Sequence, residues 1–316
     1  MSGSNEAPLR LRAPAKINWS LEVLAKQPDG YHEVRTVLQT IALSDWLTLT
    51  PADSISLEIT GEALTGAART LSKIPPESNL AYRAAELLRQ TAGADAGVRI
   101  ELEKRVPVAA GLGGGSSDAA AVLRGLRDLW RLPKDAITDN ALLAVAADLG
   151  SDVPFFLRGG CALGSGRGTE LTPLPDSPRR RLIVAWPERD ASEDKTARMY
   201  GAIRPGHFSD GTRTSQLVER ITRAETVRDI DVVNVFERLL PEVDENAAQA
   251  LSAARAAGSP HLAGSGPAFF FLLSKDEPAA ELIQQMHSLG LRAVETQTIG
   301  ATGGAAEAQE ETPWPR

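Results

Sequence analysis

Cysteine is nearly absent from this 316-residue chain, which holds a single one, Cys161. One thiol excludes an intramolecular disulfide, and a reducing compartment is therefore the expected environment. Cys161 lies in the segment GGCALG and is expected to be a small buried residue rather than a nucleophile. Histidine is also scarce, and the four present, at positions 32, 207, 261 and 287, lack the close spacing of structural metal ligands. The sequence predicts no structural metal.

Long apolar runs and an excess of positive charge are missing as well. No stretch of about 18 apolar residues occurs, and the first ten residues contain no apolar core of a signal peptide. We therefore expect a cytoplasmic protein with no membrane partner. The net charge of −7 argues against the broad basic surface of a nucleic-acid-binding protein, so an anionic substrate must be held by local donors.

Glycine, in contrast, is concentrated in one segment, PVAAGLGGGSSDAAAVL, which runs from Pro107 to Leu123. Before it, apolar and charged residues alternate from Val98 to Glu103, the pattern of a strand with one buried face. The residues after it have helical spacing. A glycine loop that leads into a helix brings open backbone N–H groups and the positive end of the helix dipole close to a ligand. The segment therefore predicts a phosphate-binding loop.

Two known phosphate loops do not fit this segment. The P-loop requires a lysine directly after its last glycine, and the sequence has none between Lys104 and Lys134. The dinucleotide-binding fingerprint requires a glycine at the position that Ser116 occupies. The segment is therefore either a third kind of phosphate loop or a flexible turn before a helix.

Strands and helices are mixed along the chain without strict alternation, which favours an α+β fold over a doubly wound sheet. The length favours two domains, and the proline-rich segment LTPLPDSPRRR at Leu171–Arg181 marks their boundary. We predict an N-terminal domain over residues 9–176, a C-terminal domain over 177–300 and an acidic, disordered tail over 301–316. The predicted strands lie near residues 9–11, 19–23, 55–59, 182–186, 268–273 and 293–299, and further predicted helices span 79–91, 135–149, 214–223, 247–257 and 277–288.

Four other short motifs accompany the glycine loop: APAKIN at Ala13–Asn18, GYHEV at Gly30–Val34, GSDVPFF at Gly150–Phe156 and AGSGPAFFFL at Ala263–Leu272. Together with the loop they resemble the GHMP small-molecule kinases, the superfamily of galactokinase, homoserine kinase and mevalonate kinase. The resemblance covers residues 9–299. It implies a ribosomal-protein-like N-terminal domain, a ferredoxin-like C-terminal domain and a site in the cleft between them.

The resemblance also implies roles for individual residues. Asp152 matches the catalytic aspartate, and Lys16 matches its partner lysine. The glycine loop is expected to wrap the phosphates of ATP. The residues that the resemblance implies for nucleotide binding are Asn79, Lys104, Pro107, Val108, Ala109, Ala110, Gly111, Leu112, Gly113, Gly114, Gly115, Ser116 and Ser117.

On the acceptor side the resemblance implies a small molecule that carries a cytidine diphosphate. Asn18, Tyr31 and His32 match its binding residues, with Tyr31 and His32 facing the cytosine. Tyr200, in TARMYGA, is similar to a second aromatic residue that completes a sandwich around the base. The expected oligomeric state is a monomer or a weak homodimer.

Phosphoryl transfer requires positioning, charge stabilisation and a base that takes the hydroxyl proton. A carboxylate such as Asp152 can accept that proton, and an ammonium such as Lys16 can stabilise the emerging alkoxide. Mg²⁺ is expected to bridge the β- and γ-phosphates, with the hydroxyl of Ser116 or Ser117 as a contact.

Other interpretations of the motifs stay open. Ser151 can be a helix N-cap with Asp152 as an acid of the first turn, and Tyr31 and His32 can complete a turn that starts at Pro28. Two other functions are a kinase of homoserine or mevalonate and a silent nucleotide-binding regulator. The motif GYHE argues against the first, and the presence of both Lys16 and Asp152 argues against the second.

Overall fold

The computed structural model describes residues 7–61, 75–133, 135, 137–188 and 194–301. Its strands are β1 (Leu9–Lys26), β2 (His32–Ala52), β3 (Ile55–Thr60), β4 (Gly97–Glu103), β5 (Cys161–Ser165), β6 (Glu170–Leu174), β7 (Arg181–Pro187), β8 (Val233–Asn234), β9 (His261–Leu262), β10 (Phe269–Leu272) and β11 (Leu291–Gln297). One sheet has the order β3-β4-β2-β1-β8, with β5 paired to β2 and β6 to β5. A second sheet has the order β11-β7-β10-β9.

The antiparallel hairpin of β1 and β2 is the element that carries most of the predicted acceptor-side residues. Its turn closes through a hydrogen bond of 2.9 Å from the Gly30 N–H to the Gln27 carbonyl, and Asp29 Oδ1 accepts the Tyr31 N–H at 3.0 Å. We predicted separate strands near residues 9–11 and 19–23, and this was wrong, because β1 is continuous. Register shifts along β1 let one long strand bend while it stays paired to β2.

The helices are α1 (Leu80–Ala92), α2 (Gly114–Leu129), α3 (Asp139–Leu149), α4 (Val153–Arg158), α5 (Lys195–Gly201), α6 (Thr212–Thr222), α7 (Leu240–Val243), α8 (Glu245–Ala254) and α9 (Ala279–Ser288). Each helix predicted from spacing is present, with ends shifted by a few residues. The largest shift is at α3, which begins at Asp139 rather than 135. Thr138 Oγ1 accepts the Ala141 N–H at 3.1 Å and caps the helix there.

Three buried clusters hold these layers together. Helices α1–α4 pack on the first sheet, and α5 and α7–α9 pack with the second sheet. The third cluster joins the two sheets through residues such as Ile17, Trp19, Leu182 and Phe270. The mixed sheets and helices confirm the α+β class. No helix in the described parts of the chain is long and apolar enough to cross a membrane.

The predicted domain limits remain a prediction. The second sheet begins at Arg181, soon after the proposed boundary, but β8 comes from the second half and pairs in parallel with β1 of the first sheet. Most of the predicted tail, residues 302–316, lies outside the described residues.

Candidate active site

A cleft of about 880 Å³ lies where the β1–β2 hairpin, the glycine loop, the start of α4 and helix α5 meet. Elements of both sequence halves therefore contribute to its wall. The predicted residues that line it are Lys16, Asn18, Tyr31, His32, Ala109, Gly111, Gly113, Asp152 and Tyr200.

The glycine loop adopts a backbone that requires several positive φ angles. Gly111 and Gly113 have φ of 83° and 73°, and Ala109 has φ of 51°, a region that L-residues with a side chain rarely adopt. A Cβ on Gly111 would lie 2.3 Å from the carbonyl oxygen of Ala263. Glycine is therefore required at position 111, both for its φ and for this close approach to the second half of the chain.

Backbone hydrogen bonds clamp the loop on both sides. The Lys16 N–H donates to the Leu112 carbonyl at 2.9 Å, and the Ala268 N–H donates to the Ala110 carbonyl at 3.1 Å. Helix α2 starts directly after Gly113, and no side chain caps its first turn. The open N–H groups and the helix dipole favour an anion at this position. These contacts argue against a loose turn before a helix.

Lys104, predicted near the nucleotide, lies beneath the loop rather than in the cleft wall. It is buried and donates to Asp118 Oδ2 at 2.8 Å and to Asp45. Burial alone lowers the pKa of Lys104, but the two carboxylates raise it above its usual value. Burial raises the pKa of Asp118 to about 8, against the opposing effect of Lys104. Lys104 thus supports the start of α2, because Asp118 belongs to that helix and Lys104 Nζ lies 3.3 Å from where a Cβ on Gly114 would stand.

Lys16 and Asp152 form an ion pair at the edge of the cleft, with 3.8 Å between Nζ and Oδ2. Lys16 is buried and fixed by a bond of 2.9 Å from Nζ to Asn18 Oδ1. Asn18 in turn donates to Thr36 Oγ1 at 2.7 Å. Asp152 stands at the N-cap of α4 without a side-chain capping bond, and 38% of its side chain is exposed. Its carboxylate is therefore open to a ligand.

Asp152 is not an acid of the first helical turn, because α4 begins one residue later, at Val153. Pro154 stands in the first turn and has no N–H to donate. A carboxylate at the N-cap thus loses one of the two donors that it would normally bond. This local feature of the sequence leaves Asp152 available for chemistry.

At the other end of the cleft, His32 stacks on Tyr200 with 5.6 Å between ring centroids and 25° between planes. Tyr31 is 56% exposed, and the guanidinium carbon of Arg167 lies 3.7 Å from its ring centroid. Arg167 also pairs with Asp29 at 2.5 Å. The structure therefore brings Tyr31, His32 and Tyr200 to one region but stacks Tyr200 on His32 and covers Tyr31 with Arg167.

The protonation of these rings follows from their surroundings. Burial, and to a lesser extent the nearby Lys26, lowers the pKa of His32 below its usual value. His32 is therefore neutral at pH 7, and its Nε2 is buried without a hydrogen-bond partner among the described residues. Burial and then the Asp152 carboxylate raise the pKa of Tyr200 to about 12. Both rings are thus uncharged at pH 7.

The remaining predicted nucleotide residues lie outside the cleft lining. Asn79 caps α1, with Oδ1 accepting the Ala81 N–H at 2.8 Å. The others in this group are Lys104, Pro107, Val108, Ala110, Leu112, Gly114, Gly115, Ser116 and Ser117.

Several cleft residues were missed in the sequence analysis, among them Thr36, Arg167, Lys195 and Thr196. Arg167 stands between two glycines at the tip of the β5–β6 hairpin, and such a flanked arginine is a signal that the sequence does offer. Lys195 gives no such signal, because it belongs to a charged segment that looks like an exposed surface.

Comparisons with known proteins agree with this geometry. Residues 79–160 match the family model described as GHMP kinases N terminal domain. A protein of Dehalococcoides mccartyi (strain ATCC BAA-2100) named 4-diphosphocytidyl-2-C-methyl-D-erythritol kinase is 36% identical over 92% of this chain and 99% of its own length. A protein of the same name from Pelotomaculum thermopropionicum is 41% identical over 85% of this chain and 91% of its own.

Solved structures show the same relationship. The crystal structure of a 4-(cytidine 5'-diphospho)-2C-methyl-D-erythritol kinase has a TM-score of 0.72 and 34% identity, and the match covers 94% of this chain and 100% of that one. A homoserine kinase from Cytophaga hutchinsonii has a TM-score of 0.67 at 17% identity, with 95% of this chain and 97% of that chain covered. The second likeness shows the fold alone.

Proposed function

This chain belongs to the 4-diphosphocytidyl-2-C-methyl-D-erythritol kinase family. We propose that it transfers the γ-phosphoryl group of ATP to the 2-hydroxyl of 4-diphosphocytidyl-2-C-methyl-D-erythritol, the cytidyl alcohol. It is an ATP-dependent small-molecule kinase with the GHMP kinase fold. The observation that carries the proposal is the Lys16–Asp152 pair, which lies in one cleft with the clamped glycine loop.

In the proposed reaction Asp152 takes the proton of the acceptor hydroxyl, whose oxygen attacks the γ-phosphorus. The bond between the γ-phosphorus and the bridging oxygen breaks, and ADP leaves. Lys16, fixed by Asn18, stabilises the negative charge on the attacking oxygen and on the transferring group. The glycine loop and the open end of α2 hold the phosphates in line with the acceptor.

We further propose that Mg²⁺ accompanies ATP, with Ser117 as its protein contact. The Ser117 hydroxyl lies in the first turn of α2, is buried and has no hydrogen-bond partner in the described structure. A hydroxyl oxygen suits magnesium, which prefers hard oxygen ligands and usually keeps several waters beside substrate phosphate oxygens and a few protein groups. No group of three or more His, Cys, Asp or Glu side chains in the described ranges could hold a metal. When bound, Mg²⁺ supplies charge neutralisation at the phosphates.

The first test is the choice of acceptor. We expect ADP release from ATP with 4-diphosphocytidyl-2-C-methyl-D-erythritol and only background release with homoserine or mevalonate, measured in a coupled ADP assay. ADP release with homoserine or mevalonate but not with the cytidyl alcohol would indicate another GHMP kinase activity instead. Binding of ATP without release in the presence of any of the three acceptors would indicate a nucleotide-binding protein.

We also propose that the acceptor end of the cleft recognises cytosine by its hydrogen-bonding edge. Aromatic rings bind either pyrimidine, so stacking by itself gives affinity without selectivity. Cytosine has an amino donor and an N3 acceptor where uracil has the reverse. His32, neutral at pH 7, can pair with one of these atoms through an imidazole nitrogen, and a mispaired group loses about 1–3 kcal/mol.

The test of this recognition is the ratio of kcat/KM for the cytidyl acceptor and its uridyl analogue. We expect the parent to prefer the cytidyl compound by about 10–100-fold, the fold-change that one mispaired group corresponds to. His32→Ala should narrow the ratio by damaging the cytidyl reaction most. Tyr31→Ala serves as the matched control and should weaken both reactions alike. Equal use of both compounds by the parent would contradict base recognition.

A further inference from the structure

A second buried ammonium lines the cleft, and the proposed chemistry does not use it. Lys195, the first residue of α5, has 4% of its side chain exposed and pairs with Asp244 Oδ2 at 3.0 Å. Asp244 uses its other oxygen to cap α8, accepting the Ala247 N–H at 3.0 Å. The ion pair therefore joins the starts of two helices. Removing a charge pair from water is expensive, so its presence in the cleft wall calls for an explanation.

The pair also lies against the same short turn that Lys16 touches. A Cβ on Gly266 would lie 3.2 Å from Lys195 Nζ, and a Cβ on Gly264 would lie 3.1 Å from Lys16 Nζ. The residue between them, Ser265, shares a hydrogen bond of 2.8 Å with Thr196 Oγ1. The turn is thus held between the lysine of the proposed reaction and the first turn of α5.

Helix α5 needs such contacts because it is too short to be stable alone. It has seven residues, and its N-cap, Asp194, makes no side-chain capping bond. Isolated helices of this length are marginal in water. Yet α5 carries Tyr200, which stacks on His32, and residues of α5 line the acceptor end of the cleft.

We propose that Lys195 is a positioning residue for the acceptor: its ion pair with Asp244 holds α5 against the Gly264–Gly266 turn and so fixes Tyr200 relative to Asp152. This inference rests on the proposed function for the identity of the acceptor. A shift of about 1 Å in a positioning contact can change binding or rate by as much as 100-fold.

The expected result is a change in the KM for the acceptor with little change elsewhere. Lys195→Met keeps the length of the side chain and removes the charge. We expect the KM for the cytidyl acceptor to rise about tenfold, while the KM for ATP and kcat at saturating acceptor stay within about twofold. Asp244→Asn keeps the oxygen that caps α8 and removes the partner charge. It should raise the acceptor KM by a similar factor, and the double variant should be no worse than either single one.

A matched control is Arg220→Met, which removes the ion pairs of Arg220, on α6, with Asp231 (3.2 Å) and Glu225 (2.6 Å), outside the cleft lining. It should alter thermal stability without altering the acceptor KM. If Lys195→Met raises the KM while Asp244→Asn leaves or lowers it, Lys195 binds the acceptor directly and the positioning role is wrong. Unchanged acceptor KM in both variants, despite lowered stability, would also overturn it.

Calorimetric titration of each variant with CDP separates this inference from the proposed function. We expect Lys195→Met and Asp244→Asn to bind CDP more weakly than the parent does. This result does not depend on whether the parent turns over the cytidyl alcohol. If the parent turns over the cytidyl alcohol and both variants bind CDP as tightly as the parent does, the positioning role alone is wrong. Failure of turnover in a parent that binds CDP would count against the proposed function alone.

Discussion

Asp152→Asn is expected to lower kcat by about 10²–10⁴ while ATP affinity and fold stability change little. Asparagine has the size of aspartate but cannot accept the acceptor's proton. The Asp152 side chain makes no capping bond and is 38% exposed, and Lys16 keeps its hydrogen bond to Asn18 in the variant, so loss of the long 3.8 Å contact should cost little stability. Steady-state kinetics, calorimetric titration with a non-hydrolysable ATP analogue and thermal unfolding together measure the three quantities.

The matched control for this substitution is Asp148→Asn. Asp148 is an exposed carboxylate on α3, four residues earlier and outside the cleft lining, so its loss changes the net charge equally. We expect near-parental kcat in that variant. Near-parental turnover in Asp152→Asn would remove Asp152 from the mechanism. A large loss in both variants would mean that net charge, rather than a positioned base, controls the rate.

The features of the site that could be predicted from sequence are local ones. The glycine loop and the turn at Pro28–Gly30 are each set by a few adjacent residues, and the structure has both. The α+β class followed from the order of periodic segments and is confirmed. Local backbone preferences favour such elements.

What sequence reasoning could not supply depends on contacts between distant segments. Lys104 lies next to a glycine loop, and this position in the sequence suggests a phosphate contact. Its neighbours in space are Asp45 and Asp118, which neutralise it beneath the loop. In the same way, Tyr200 stacks on His32 across the cleft, which no spacing rule indicates. The register of β1 and β2 places His32 and Asp45, and Tyr200 packs against the second buried cluster.

Lys16 is expected to act together with Asp152 as one unit. Its ammonium is buried and has two oxygen neighbours, Asn18 Oδ1 at 2.9 Å and Asp152 Oδ2 at 3.8 Å. A lysine that only stabilised the fold would need no exposed partner at the cleft edge. A lysine that stabilises developing charge must be preorganised and close to the base, and the hydrogen bond to Asn18 provides that orientation.

Lys16→Met should therefore lower kcat by about 10²–10³, the value of one preorganised charge-stabilising group. Combined with Asp152→Asn, it should lower kcat by much less than the product of the two single losses, because neither group can act fully without the other. Asn18→Ala keeps the ammonium but removes its anchor, and we expect a smaller loss of about tenfold. Single-turnover kinetics on the parent, the three single variants and the double variant measure these factors for the chemical step. If the losses from Lys16→Met and Asp152→Asn multiply instead, the two residues act independently, and Lys16 serves the phosphates of ATP rather than the acceptor oxygen.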